Sequence, residues 1–150
     1  MQRRLLSGTY ECSLDNRFRL AIPARLRDPF EDGATVGWWI DECLIVVPTS
    51  EWSPLVDRTF GRMSVLDDEA RELSRFLLAG AYHHDIDGQG RIPLAADLRE
   101  HAGIDGGKVK VVGAGEYLEV WDPSRLTDRF AELRREGVSA RAKRLAGRIP

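Results

Sequence analysis

One pattern occurs twice in this chain, 72 residues apart. The first copy is Leu14-Asp15-Asn16-Arg17-Phe18-Arg19-Leu20, running on to Leu26-Arg27. The second is Ile86-Asp87-Gly88-Gln89-Gly90-Arg91-Ile92, running on to Leu98-Arg99. At that offset Asp15 matches Asp87, Arg19 matches Arg91, Leu20 matches Ile92, and Arg27 matches Arg99. A duplicated unit implies two similar halves packed about a pseudo-twofold axis. A catalytic centre rarely needs its aspartate and arginine twice, whereas a twofold binding protein often does.

At 150 residues the chain is long enough to bury a sizeable core, and length alone points to one domain. No apolar run approaches the roughly 20 residues of a membrane span. Met1 to Gly8 holds two arginines but no apolar stretch of signal-peptide length. Cys12 and Cys43 are the only cysteines and lie far apart, so a reduced, cytoplasmic protein with unpaired thiols is expected. Net charge is −2, which by itself argues against a polyanionic partner. The distribution leaves both a polyanion-binding reading and a plain solvated-face reading open. Residues 1–27 carry six arginines against Glu11 and Asp15, and residues 125–150 carry eight basic residues against Asp128, Glu132 and Glu136. The acidic surplus lies between them. Salt screens over about 10 Å, so basic ends on an acidic body can bind a polyanion locally.

Each half reads in the same order: strand, turn, strand, short helix, then a strand pair. In the first half Thr9–Leu14 and Arg19–Pro23 are strands, Ala24–Phe30 is a short helix, and Val36–Ile40 and Cys43–Val47 form a hairpin around Asp41-Glu42. In the second, Ala81–Ile86 and Arg91–Leu94 flank the turn, Asp97–Ala102 is a short helix ended by Gly103, and Val109–Gly113 pairs with Tyr117–Trp121. There Leu44 aligns with Leu118 and Val46 with Val120, an offset of 74 that a small loop insertion explains. Helices follow each half. Ser53-Pro54 reads as a cap and first turn, with the helix running to about Met63. A second starts near Asp67-Asp68-Glu69 with Ala70, Leu73, Phe76, Leu77 and Gly80 as its apolar face. Asp122-Pro123 caps a third, ended by Gly137, and Ser139–Pro150 is a basic tail or a loosely held helix. The fold class expected is α+β: two β-rich units, 6–52 and 81–122, with connecting helices at 53–80 and a C-terminal helix and basic tail at 123–150.

The Asp-x3-Arg spacing has a physical meaning. In an extended strand Asp15 and Arg19 would lie about 13 Å apart. Across a three-residue hairpin loop made of Asn16-Arg17-Phe18 they face each other with Cα atoms about 5 Å apart. The carboxylate then holds the guanidinium and caps loop N–H groups. An arginine held rigidly beside an exposed tip suits phosphate or guanine contacts. Arg17 at the tip favours a DNA contact for the first copy. The second, with the uncharged loop Gly88-Gln89-Gly90, reads more simply as a turn staple.

Together these residues resemble the MraZ family, bacterial transcriptional regulators linked to the division and cell-wall gene cluster. The resemblance covers roughly residues 6–135 and rests on Leu6-Ser7-Gly8, the run Leu14 to Arg27, Glu51-Trp52, Asp87 to Ile92, and Leu118-Glu119-Val120-Trp121-Asp122 in order. It implies two AbrB-like swapped-hairpin units forming an intrachain pseudo-dimer barrel. It also implies ring-shaped homo-oligomers whose N-terminal motif meets tandem boxes in double-stranded promoter DNA, in a nucleoid-associated protein. By that analogy Asp15, Arg17 and Arg19 form the DNA contact, with Asp87 and Arg91 as the second-repeat motif. Arg3 and Arg4, in an extension with no family counterpart, join the candidate DNA contacts. Phe18 stands where the family has glycine. Positive φ is free for glycine and strained for phenylalanine, so either Asn16 takes the left-handed position or the loop differs.

Other sites are declined. His83-His84-Asp85 with Asp87 lacks metal-ligand spacing, since adjacent strand residues point to opposite faces. Gly106-Gly107 and Gly113-Ala114-Gly115 open no phosphate loop. No nucleophile, base and acid converge, so no catalytic residue, cofactor or small-molecule substrate is expected. Trp38, Trp39, Trp52 and Trp121 are read as core or interface residues. The competing function is a protein–protein interaction module without a direct DNA role, suggested by the acidic middle and the tryptophan-rich hairpin.

Overall fold

The computed structural model describes residues 5–149; Arg3 and Arg4 lie outside the described residues. In chain order the elements are β1 (Thr9–Ser13), β2 (Arg19–Ala21), two short 3-10 helices (Ala24–Leu26 and Asp28–Phe30), β3 (Ala34–Trp38), β4 (Leu44–Pro48), α1 (Thr49–Phe60), α2 (Asp68–Ala79), β5 (Tyr82–His84), β6 (Arg91–Pro93), α3 (Ala96–Ala102), β7 (Lys108–Gly113), β8 (Leu118–Trp121), α4 (Pro123–Glu136) and α5 (Val138–Ala146). The second half repeats the strand order of the first, so the architecture is α+β with mostly antiparallel sheet.

The strands do not pair within their own halves alone. One sheet runs β1-β7-β8-β4-β3-β5 and a separate two-stranded ribbon is β2-β6. The first strand of each half therefore joins the other half's hairpin: β1 pairs β7 and β5 pairs β3, all antiparallel. The ribbon register sets Leu20 opposite Ile92, flanked by Arg19 opposite Pro93 and Ala21 opposite Arg91. Those pairs interchange at the 72-residue offset, so the pseudo-twofold axis crosses the ribbon between Leu20 and Ile92. In the large sheet it passes between Ile45 and Glu119, flanked by Leu44 opposite Val120 and Val46 opposite Leu118. That register reproduces the offset of 74 for β4 and β8. The offset is 75 between β3 and β7, because Val36 pairs with Val46 and Val111 with Val120.

Alternation along β4 divides the apolar residues between two faces. Leu44 and Val46 enter a core with Leu20, Ile22, Ile92, Leu94, Leu98, Val111 and Val120, under the ribbon and short helices. Ile45 and Val47 enter a second core with Trp39, Cys43, Leu77, Trp121 and Leu126, under α2 and α4. Trp38 and Trp52 pack partly buried against these cores.

The caps at Asp67, Asp122, Gly103 and Gly137 fall where the sequence places them: Asp67 accepts from Glu69 N and Ala70 N, Asp122 from Arg125 N, and Gly103 ends α3 at φ 68°. Two expectations need correction. Helix α1 begins at Thr49, four residues before Ser53, with Pro54 inside it. It grows directly from the end of β4, where Thr49 N donates to Gly33 O, so tertiary anchoring rather than a Ser53 cap sets its start. The apolar face read for α2 is buried only at Leu77 and Gly80; Leu73 and Phe76 remain exposed, although Phe76 stacks on Trp38.

Candidate nucleic-acid interface

Residues 15–19 form a three-residue hairpin loop closed by backbone bonds from Phe18 N to Asp15 O and from Asp15 N to Arg19 O, both 3.0 Å. Asp15 Oδ1 accepts from Arg17 N and Arg19 N, each at 2.9 Å, and Oδ2 accepts from Arg19 Nε at 2.7 Å. One carboxylate thus caps two loop amides and orients a guanidinium. The backbone N–H of Arg19 is the largest influence holding the Asp15 carboxyl below the usual aspartate range, aided by Arg17 N–H and the Arg19 guanidinium.

The second copy has the same geometry. Asp87 Oδ1 accepts from Gln89 N at 2.9 Å and Arg91 N at 3.1 Å, and Oδ2 accepts from Arg91 Nε at 2.8 Å. Its carboxyl is lowered by the same donors, Arg91 N–H first. Both pairs sit near the surface, with the Asp15 and Arg19 side chains each 29% exposed.

The loop conformation corrects the expectation about Asn16. Phe18 itself takes the left-handed position, at φ 58°, matched by Gly90 at φ 72°. The Phe18 ring lies beneath the Arg99 guanidinium, 3.7 Å from its carbon to the ring centroid. Arg17, on the tip, is exposed and makes no ion pair among the described residues.

The β2–β6 ribbon brings the two loops into one surface. Leu20 and Ile92 are fully buried, so the residues on either side of them turn outward, and Arg19 and Arg91 share the outer face. Arg27 and Arg99 belong to this neighbourhood too. Sequence reading paired them through the repeat but gave them no role. Arg27 Nε donates to Ile22 O at 2.6 Å, and Arg99 Nε donates to Leu94 O at 3.0 Å. Ile22 N in turn donates to Gly90 O, and Leu94 N to Phe18 O. Each arginine therefore braces the loop of the opposite repeat, a cross-repeat contact with no local signature.

His83 Nδ1 meets Thr35 Oγ1, and burial followed by the nearby His83 lowers His84 below the ordinary histidine value. Among the described residues no three His, Cys, Asp or Glu side chains group as metal ligands. Cys12 and Cys43 are both free thiols, each raised by burial. A cleft of about 390 Å³ between α4, α5 and the sheet, lined by Asp41, Glu119, Arg129 and Glu132 among others, contains no motif residue. Among the described residues no helix is long and apolar enough to cross a membrane.

The family described as "MraZ protein, putative antitoxin-like" matches this chain twice, over residues 5–76 and 77–149. A transcriptional regulator MraZ from Thermomicrobium roseum is 37% identical over 139 residues, covering 93% of this chain and 96% of that relative. One from Mycobacterium ulcerans is 38% identical over 142 residues, covering 95% and 97%, and one from a Roseiflexus species is 37% identical over 118 residues, covering 79% and 81%.

Proposed function

The chain belongs to the MraZ family, and from that premise we propose that it is a sequence-specific DNA-binding transcriptional regulator that grips tandem promoter boxes as a ring-shaped homo-oligomer. The observation that carries this reading is the braced arginine. Arg19 is held through Nε by Asp15 next to the exposed tip residue Arg17, so little side-chain entropy remains to be lost on contact. The outward face of β2–β6 fits the reading as well, because the major groove admits a two-stranded β ribbon. Asp15, Arg17 and Arg19 meet the duplex, with Arg3 and Arg4 close in sequence as added cations; Asp87 and Arg91 repeat the motif. The units are two AbrB-like swapped hairpins, 6–52 and 81–122, which accords with the exchange of β1 and β5 between halves. The protein acts at the nucleoid without catalysis.

Self-association draws support from the exposed apolar side chains around α2: Leu66, Leu73 and Phe76 are surface residues. Several subunits presenting one loop each gain avidity on repeated boxes. The test is a mobility-shift titration on the duplex upstream of the chain's own gene, run against salt. Arg19→Ala is expected to weaken binding by about tenfold or more. Binding as tight as wild type would remove Arg19 from the interface, and no shift at low salt would favour the protein–protein module.

A further inference from the structure

Four arginines around the ribbon are each tied down through Nε. Arg19 and Arg91 are held by the carboxylates of Asp15 and Asp87, and Arg27 and Arg99 by the carbonyls of Ile22 and Leu94. Among the described residues, no hydrogen bond or ion pair engages their terminal nitrogens. Each guanidinium thus has a fixed stem and a free planar fork, which is the geometry that accepts a phosphate.

The two pairs differ in charge. The carboxylates of Asp15 and Asp87 neutralise Arg19 and Arg91. Arg27 and Arg99 are anchored by neutral carbonyls instead, and Arg27 shares its cleft with Asp28, Glu31 and Asp87. Both arginines also sit close to the loops. Arg99 covers Phe18, the neighbour of Arg19, and Arg27 lies so close to Gly90 that a Cβ there would fall 2.4 Å from its Nε. Arg27 and Arg99 therefore add cationic side chains to the surface that the motif arginines occupy.

We propose that Arg27 and Arg99 contact backbone phosphates of duplex DNA, so that the interface is built from both repeats and extends beyond the first Asp-x3-Arg loop. This rests on the duplex-binding reading given above. It assigns the repeated Leu-Arg that follows each motif, and it gives the second repeat a share in recognition even though its own loop is uncharged.

The test is the salt dependence of binding by the full chain to the same upstream duplex. Wild type is compared with Arg27→Gln, Arg99→Gln and the double variant. Each lost phosphate contact is expected to make the log–log slope about 0.9 less negative and to weaken binding by a similar factor on any sequence. Arg99→Lys, which keeps the charge, is expected to keep the slope. If these arginines only clamp their carbonyls, the glutamine variants melt earlier while the slope stays unchanged, and the proposal falls. Should a glutamine variant not fold, NMR of the wild-type arginine side chains replaces it: the Arg27 and Arg99 guanidinium resonances shift on titration with duplex, or stay still and overturn the proposal. Wild type that shows no salt-dependent binding overturns the regulator reading itself. Wild type that binds, with variants of unchanged slope, overturns only the two-repeat interface.

Discussion

Phe18 holds at φ 58° the place that Gly90 holds at φ 72° in the other repeat. Its carbonyl accepts Leu94 N at 3.1 Å, as the Gly90 carbonyl accepts Ile22 N at 2.8 Å. The turn therefore demands a left-handed residue at both positions, and only one copy supplies glycine. A Cβ in that conformation costs about 1–2 kcal/mol. The ring stacked under Arg99 returns about 0.5–1 kcal/mol at a site 40% exposed.

These terms, with the added chain entropy of glycine, nearly cancel, so Phe18→Gly is expected to change stability by less than about 1 kcal/mol. Phe18→Ala keeps the backbone strain and forfeits the stacked ring, and is expected to be the least stable of the three. Urea midpoints rank them. An alanine variant at or above the glycine variant would show that the turn imposes no strain at position 18.

The Asp15 brace carries a pH signature. Its carboxyl is depressed by the Arg19 and Arg17 amides and by the Arg19 guanidinium. A depressed acid contributes stability above its unfolded value, about 3.9, and loses it as pH falls through the lower folded value. The Arg17 and Arg19 amide resonances are thus expected to stay at their neutral-pH positions down to about pH 4 and to move only below it, with Gln89 and Arg91 following Asp87 in the same way. Amides that titrate in step with a free aspartate would mean the brace is absent in solution.

How much of this was legible in the sequence follows the range of each interaction. The Asp15–Arg19 brace spans four residues, and hairpin geometry alone predicts it. The caps at Asp67, Asp122, Gly103 and Gly137 are equally local. The pairing of Thr9 with Val112 joins chain ends that no nearby pattern connects, and only the duplication hints at it. A left-handed Phe18 reads as strained from the sequence, because the Arg99 that stacks on its ring lies in the other repeat. Arg27 and Arg99 were visible as a repeated Leu-Arg, but their carbonyl anchors depend on backbone geometry that periodicity does not encode. The α2 stripe had helical spacing, yet spacing does not say what covers it, and within one chain Leu73 is left uncovered. Pro54 misled because proline marks helix starts often enough to outweigh the strand that launches α1.

The pseudo-axis of the large sheet places Ile45 opposite Glu119, an apolar residue in one half against an acid in the other. Glu119 Oε1 accepts from Trp121 Nε1 at 3.1 Å. Burial, with Asp41 adding repulsion, raises its carboxyl above the usual range. A raised acid is more stable folded when protonated, so stability grows as pH falls from the folded value toward the unfolded value of about 4.3. Glu119→Gln keeps an acceptor for Trp121 and removes the charge. It is expected to melt higher than wild type at pH 7 and to match it near pH 4. A variant no more stable than wild type at neutral pH would mean that the charge is compensated in solution.

Leu73 is 43% exposed on α2 and Leu66, just before that helix, is 85% exposed, while Leu77 on the same helix is buried. Exposed large apolar side chains of this kind suit a subunit contact where they form a contiguous patch. If the proposed ring closes through this surface, Leu73→Asp places a charge in the contact beside Glu69 and Glu72 of the same helix. The cost to the isolated fold is small, within about 0.5 kcal/mol for a half-exposed position, so the melting temperature of the monomer barely moves. The mass measured by sedimentation is expected to fall from that of the assembly toward 16.9 kDa. Promoter binding should weaken with it, because a lone subunit loses the avidity of repeated loops. An unchanged mass would exclude α2 from the subunit contact, and a reduced mass with unchanged promoter affinity would mean that one subunit suffices for binding.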